Sequence, residues 1–229
     1  MKKNHFIVMA AAAVLMIATA GYLSSAADQK AALSTAGGVV TIKGTDTQTS
    51  PTVKIVEGVY IVSRIAGEGY INITVKDPAD EIIHMMYFNI PNGTYLLIVN
   101  SDPVRPGDVV FEVMGEGAWT VTVIKADGSS AVALPQVLSA AELTSAVSKP
   151  FKAAAGNLAM SYTYKSAPEG TGTLTICDVV TGKTLPMSKM MYAGQISGGW
   201  NMTIPAAGVY IAETTFPKAS GGGEVKLSQ

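Results

Sequence analysis

Residues 70–76 read YINITVK, and this alternation constrains the whole chain. Ile71, Ile73 and Val75 fall on one side of an extended backbone, while Asn72 and Thr74 fall on the other. A period of two describes a strand with one dry face and one wet face, and a helix cannot keep it. The run WTVTV repeats the pattern, setting Trp119, Val121 and Val123 against Thr120 and Thr122. From residue 38 onward nearly every segment has this character. VVTIKG, VYIVSRI, TYLLIVN and VVFEVMG are followed by NLAMSYTYK, TGTLTICDVV, GWNMTI, GVYIAETTF and EVKLSQ. Gly, Pro, Asn and Asp separate these short Val-, Ile-, Thr- and aromatic-rich runs, as turns require. The expected fold is all-β, with antiparallel sheets packed face to face.

Several words occur twice. Gly58 opens GVYIVSRI and Gly156 opens GNLAMSYTY; MMY stands at 85–87 and 190–192; IPNGTYLLIV (90–99) is echoed by IPAAGVYIAE (204–213). The series predicts two tandem jelly-roll-like β-sandwiches, at 52–125 and 151–229, the first able to include a strand at 38–44. It also places Gly93 and Gly208 at equivalent strand entrances, each expected to have positive φ or to be packed too closely for a side chain. Residues 28–51 read as an N-terminal strand and Thr-rich spacer, and 126–150 as a linker. In that linker Ser139 and Glu142 have capping-box spacing before Leu143, which predicts a short helix stopped by Ser148–Pro150.

IPNGTYLLIV with GAWTVTV, and IPAAGVYIAE with GEVKLS, resemble one half of the secreted pre-peptidase C-terminal type of β-sandwich module. The resemblance implies a small non-catalytic sandwich, appended to exported enzymes or found in surface proteins of bacteria and archaea. Such modules often carry an acidic loop, for which KDPADE (76–81) is a partial counterpart; nothing similar follows Cys177–Asp178.

The N-terminus opens with Lys2 and Lys3, then an apolar run from Phe6 to Leu23, then small residues. This is the layout of a signal helix, with Ser25 and Ala27 before cleavage at Asp28; the run also approaches the length of an anchor. Export to the cell surface or medium follows, with membrane contact only through residues 1–27 if they are retained. Net charge is −1, and Arg64 and Arg105 are the only arginines, so the basic footprint of a nucleic-acid partner is missing.

Cys177 is the single cysteine, which rules out an internal disulfide and leaves a buried thiol or an intermolecular bridge. Outside the N-terminal segment His84 is the sole histidine, so neither a His/Cys zinc site nor a Ser-His-Asp triad has its partners. Asp77, Asp80 and Glu81 form the candidate calcium loop, calcium being the one cofactor considered. Asn72, Asn92 and Asn201 begin glycosylation sequons. Trp200, after SGG, is the candidate surface platform for a ligand. The functional expectation is a non-enzymatic envelope protein acting by structural contact or self-assembly, with itself or other envelope proteins as partners. The alternative is a carbohydrate- or ligand-binding module. The final strand, behind three glycines, can pair in its own sheet or in a neighbour's.

Overall fold

A computed structural model describes residues 30–36, 38–67, 69–88, 93–100, 104–141, 144–185, 189–191, 194–218 and 222–229. The signal segment and Asn92 lie outside the described residues. Among the described residues no helix is long and apolar enough to cross a membrane.

The strands are β1 (Ala32–Ala36), β2 (Val39–Thr45), β3 (Gln48–Thr49), β4 (Val53–Ile55), β5 (Gly58–Ala66), β6 (Ile71–Lys76), β7 (Ile82–Phe88), β8 (Thr94–Val99), β9 (Gly107–Gly115) and β10 (Ala118–Lys125). They continue as β11 (Gln136–Ala140), β12 (Ser145–Val147), β13 (Phe151–Ala153), β14 (Gly156–Tyr164), β15 (Gly172–Asp178), β16 (Lys189–Met191), β17 (Ser197–Ile204), β18 (Gly208–Thr215) and β19 (Gly223–Ser228).

Two antiparallel sheets, β1-β2-β10-β5-β8 and β3-β9-β6-β7 with β4 also on β9, enclose the first core. The sheets β11-β19-β14-β17 and β12-β18-β15-β16, with β13 also on β18, enclose the second. The strands β2 through β10 therefore recur, in the same pairing, as β11 through β19. Each unit is a jelly roll whose second strand is broken in two. Register confirms the equivalence: Thr74 faces Glu112 where Thr175 faces Glu213, and Ile55 faces Gly107 where Ala153 faces Gly208.

The expected parities hold on the dry side. Ile71, Ile73, Val75, Trp119, Val121 and Val123 are all buried. Two wet-side positions depart: Thr74 and Thr122 are also buried. Each lies on an inner strand: Thr74 is flanked by the longer Met85 and Glu112, and Thr122 stands between Thr41 and Ser63.

Other expectations are corrected. Among the described residues of 139–148 no linker helix forms: β11 runs through Ser139 and pairs with β19, and β12 pairs with β18. Local helix propensity is overridden by a sheet ladder that buries Leu138. The Thr-rich stretch 44–51 is not a spacer but the end of β2, a turn at Asp46 (φ +53), and β3. Gly208 is absent from the left-handed region; the glycines with positive φ at equivalent strand entrances are Gly58 (φ +135) and Gly156 (φ +122). The IP-to-Tyr word pairs β8 with β18, one strand out of step, since β8 corresponds to β17. Tyr95 and Trp200 are the equivalent residues, facing Val62 and Met160 on equivalent strands. The C-terminal strand pairs in cis, with β11 and β14.

A third apolar cluster joins the two units. Val59 and Leu96 from the outer face of β5 and β8, with Ala126, meet Cys177 and Ile211 from the outer face of β15 and β18, with Val179 in the turn after β15. Asn100 Nδ2 donates to Gly182 O at 3.3 Å across the same boundary.

Candidate interaction face

On β6, β7 and β9 the inward residues fill the first core, so the opposite parity defines the outer face. Asn72 stands between Tyr87 and Met114, and Thr74 between Met85 and Glu112. A register shift after Val75 then sets Ile82 beside Lys76. The face carries Ile82 (56% exposed), Met85 (42%), Tyr87 (52%) and Met114 (47%). Four large apolar side chains close together on one sheet are unusual for a surface that meets only water.

The charged groups of this face pair with one another. Lys76 Nζ lies 3.0 Å from Glu112 Oε2 and 3.0 Å from Asp80 Oδ1. Hydrogen bonding to Glu112, and then to Asp80, raises the Lys76 pKa. At a surface such a triad contributes little stability, and with two carboxylates to one ammonium it leaves a single negative charge at the Lys76 end of the face.

The equivalent face of the second unit shows what such a surface does. Lys76 is replaced there by Cys177 and Val110 by Ile211, and that face is buried against β5 and β8 of the first unit. Full burial of a Val, Leu or Ile side chain contributes about 1.5–3 kcal/mol, so the contact holds the sandwiches together. One face of the repeated sheet is thus covered within the chain, and its twin is open.

The sequence-derived candidates divide. Asp77 Oδ1 accepts the backbone N–H groups of Ala79 and Glu81 at 2.9 and 2.8 Å, while Asp80 pairs with Lys76. These groups close their own turn. Asp77, Asp80 and Glu81 thus sit in a hydrogen-bonded turn, and among the described residues no group of three or more His, Cys, Asp or Glu is placed to hold a metal ion.

Asn72 is a poor glycan acceptor, because its Oδ1 is buried without a partner and Thr74 is 4% exposed. Asn201 and Thr203 are exposed on edge strand β17. Trp200 is not an open platform: it packs on the second core, with its ring centroid 6.0 Å from that of Tyr162. Cys177 is fully buried between the sandwiches, which overturns the intermolecular bridge. Burial, then the charges of Glu213 and Asp178, pushes its thiol up to about 12. His84 is half-buried, and burial lowers its pKa.

Sequence reading missed Met85, Tyr87 and Met114 as a unit. The available signal was parity: in MMYF, Met85 and Tyr87 point one way while Met86 and Phe88 point into the core.

No protein-family model matches the chain, and no curated protein matches it. Among solved structures it is similar to a cupin 2 conserved barrel domain protein from Leptotrichia buccalis, at 9% identity and TM-score 0.25, covering 88% of this chain and 90% of that one. It is also similar to the CBM22-1–CBM22-2 tandem domain of Paenibacillus barcinonensis Xyn10C, at 10% identity and TM-score 0.24, covering 88% and 93%. Vicilin from Capsicum annuum is similar at 11% identity and TM-score 0.25, covering 82% and 74%.

Proposed function

We propose that this is an exported, non-catalytic protein of the cell envelope that works by sheet-face contact, with itself or with another envelope protein. One observation carries the reading: the outer face of β6, β7 and β9 is open, while its equivalent on β15 and β18 is buried in an apolar contact. The chemistry available agrees with a structural role. The thiol of Cys177 is buried and held protonated. The amino-terminal signal layout supplies the route out of the cell.

The test is sedimentation of the protein purified after export, beside Met85→Lys and Tyr87→Glu. The expected result is a wild-type species larger than a monomer, alone or on mixing with envelope extract, and monomers for both variants with unchanged melting temperatures. Wild-type protein that stays monomeric in both conditions overturns the reading.

Glycan binding is the second reading. What favours it is a cleft of about 320 Å³ where Tyr95 meets Thr144, Thr215 and Phe216 between the sandwiches. A monomer retained on an immobilised glycan, and released by Phe216→Ala, supports it.

A further inference from the structure

Register fixes which residues of the two sandwiches correspond. Where β5 pairs with β8, Ile61 faces Leu96 and Val59 faces Ile98. At the same places of the second unit, on β14 and β17, Ala159 faces Asn201 and Asn157 faces Thr203. In the first unit these four positions belong to the apolar contact between the sandwiches: Val59 and Leu96 are buried in it, and Ile61 and Ile98 pack against it. In the second unit Asn157, Asn201 and Thr203 are exposed, and Ala159 is partly buried. Leu96 and Ile98, which hold a protein surface, are thus replaced by Asn201 and Thr203, the first and third residues of an N-x-T sequon.

Strand geometry suits this pair to modification. Residues two apart on a strand point to the same side, so the Asn201 amide and the Thr203 hydroxyl share the outer face. Met202 and Ile204, between and after them, enter the second core. What stands beside Asn201 is short: Ala159 across the pair with β14, and Gly199 two residues back on its own strand. β17 is an edge strand, so among the described residues no strand pairs with its far side. Thr74, which completes the sequon of Asn72, is only 4% exposed, and Asn92 lies outside the described residues.

We propose that Asn201 carries an N-linked glycan, covering the face of the second sandwich that in the first receives its neighbour. The donor is of the class of glycans held on a lipid diphosphate and met outside the cytoplasm. Asn201 Nδ2 forms the new bond to the anomeric carbon of the glycan, and the bond from that carbon to the diphosphate oxygen breaks. The lipid diphosphate leaves with the bonding electrons, and the amide gives up one proton. A bulky, solubilising sugar chain on this face keeps a further sandwich from stacking there. The glycan rests on the export reading and is independent of the open face on β6, β7 and β9.

The full chain is expressed in the organism that carries it and recovered separately from cytoplasm and from envelope or medium. Peptides spanning Asn201 are then measured by mass spectrometry, beside Asn201→Gln, Thr203→Ala and Thr203→Ser. Both side chains are exposed, so the substitutions should leave the fold intact and the masses readable on soluble protein. The expected result is exported wild type whose Asn201 peptide is heavier than its sequence by whole sugar residues. That added mass should be lost in Asn201→Gln and Thr203→Ala and kept in Thr203→Ser. Exported protein with a bare Asn201 peptide overturns the glycan and leaves the export reading standing. Added mass that survives Asn201→Gln belongs to another residue and also overturns it. Protein found only in the cytoplasm overturns the export reading, and the glycan with it.

Discussion

The carboxylate of Glu213, in the second sandwich, stands near enough to the backbone N–H of Leu96, in the first, for that group to lower its pKa. Leu96 lies on β8, which is an edge strand of its sheet, so an acidic side chain meets an edge of the neighbouring unit. Ser145 Oγ donates to Glu213 Oε1 at 2.8 Å from the other side. Both contacts favour the charged form, but desolvation between the units outweighs them and lifts the carboxyl to about 7. Tyr95, Cys177 and Asp178 are the titratable groups nearby; the Glu213 charge raises the pKa of both Tyr95 and Cys177.

This arrangement predicts pH-dependent docking of the two sandwiches. The folded pKa of Glu213 lies above its ordinary value of 4.5, so its contribution is fully present below that value and is lost as pH rises through about 7. The loss should be on the order of 1–3 kcal/mol, allowing for the solvent the side chain still meets. Melts of wild type should fall between mildly acidic and mildly alkaline pH. Glu213→Gln should remove most of that fall; a slope unchanged in the variant would assign it to another group.

Cys177 should be inert in the folded protein. A thiol at about 12, fully buried between two sheets, has a negligible thiolate fraction at neutral pH. A thiol-reactive chromophore should label it only in denaturant, and non-reducing gels should show no linked dimer. Cys177→Ser should cost about 1–3 kcal/mol, because the added hydroxyl is buried without an assured partner. Fast labelling of native protein would show that the sandwiches separate readily.

Val121 and Thr120 test the first core. Val121 is fully buried, and Thr120, its neighbour on the opposite face, is partly exposed. Val121→Asp should cost several kcal/mol, about what burying an unpaired carboxylate costs, and Thr120→Asp should cost about 1 kcal/mol or less. Equal losses would mean that β10 does not divide a wet face from a dry one.

Alternation made the strands legible because a period of two is local: Ile71, Ile73 and Val75 report their own face. Tertiary choices were less visible. The serine of the expected capping box, Ser139, instead reaches Glu224 across β11 and β19 at 3.4 Å, a partner far away in sequence. The duplication was readable in outline and misaligned in detail, because a jelly roll conserves strand order and facing rather than words. Tyr95 and Trp200 occupy one position of the repeat, and Gly107 and Gly208 another. The open face was hidden for the same reason, since Met114 joins Tyr87 across Asn72 only once β9 and β7 flank β6.

The glycines separate local backbone demand from shared vocabulary. Gly156 has φ +122 and no atom within 4 Å of an added Cβ, so substitution there strains the backbone without a clash. Its equivalent Gly58 has φ +135, and an added Cβ meets the Lys125 side chain at 2.7 Å, a flexible group that can move. Gly208 is outside the left-handed region, and an added Cβ would stand 3.4 Å from the Tyr210 ring. Gly58→Ala and Gly156→Ala should therefore each cost about 1–2 kcal/mol, while Gly208→Ala should cost less than about 1 kcal/mol. Thermal melts of the three variants beside the parent decide it. Two large losses with a small one at Gly208 place the repeat at the entrances of β5 and β14. A loss at Gly208 as large as the other two would return the equivalence to the IP-to-Tyr words and displace the strand-by-strand correspondence.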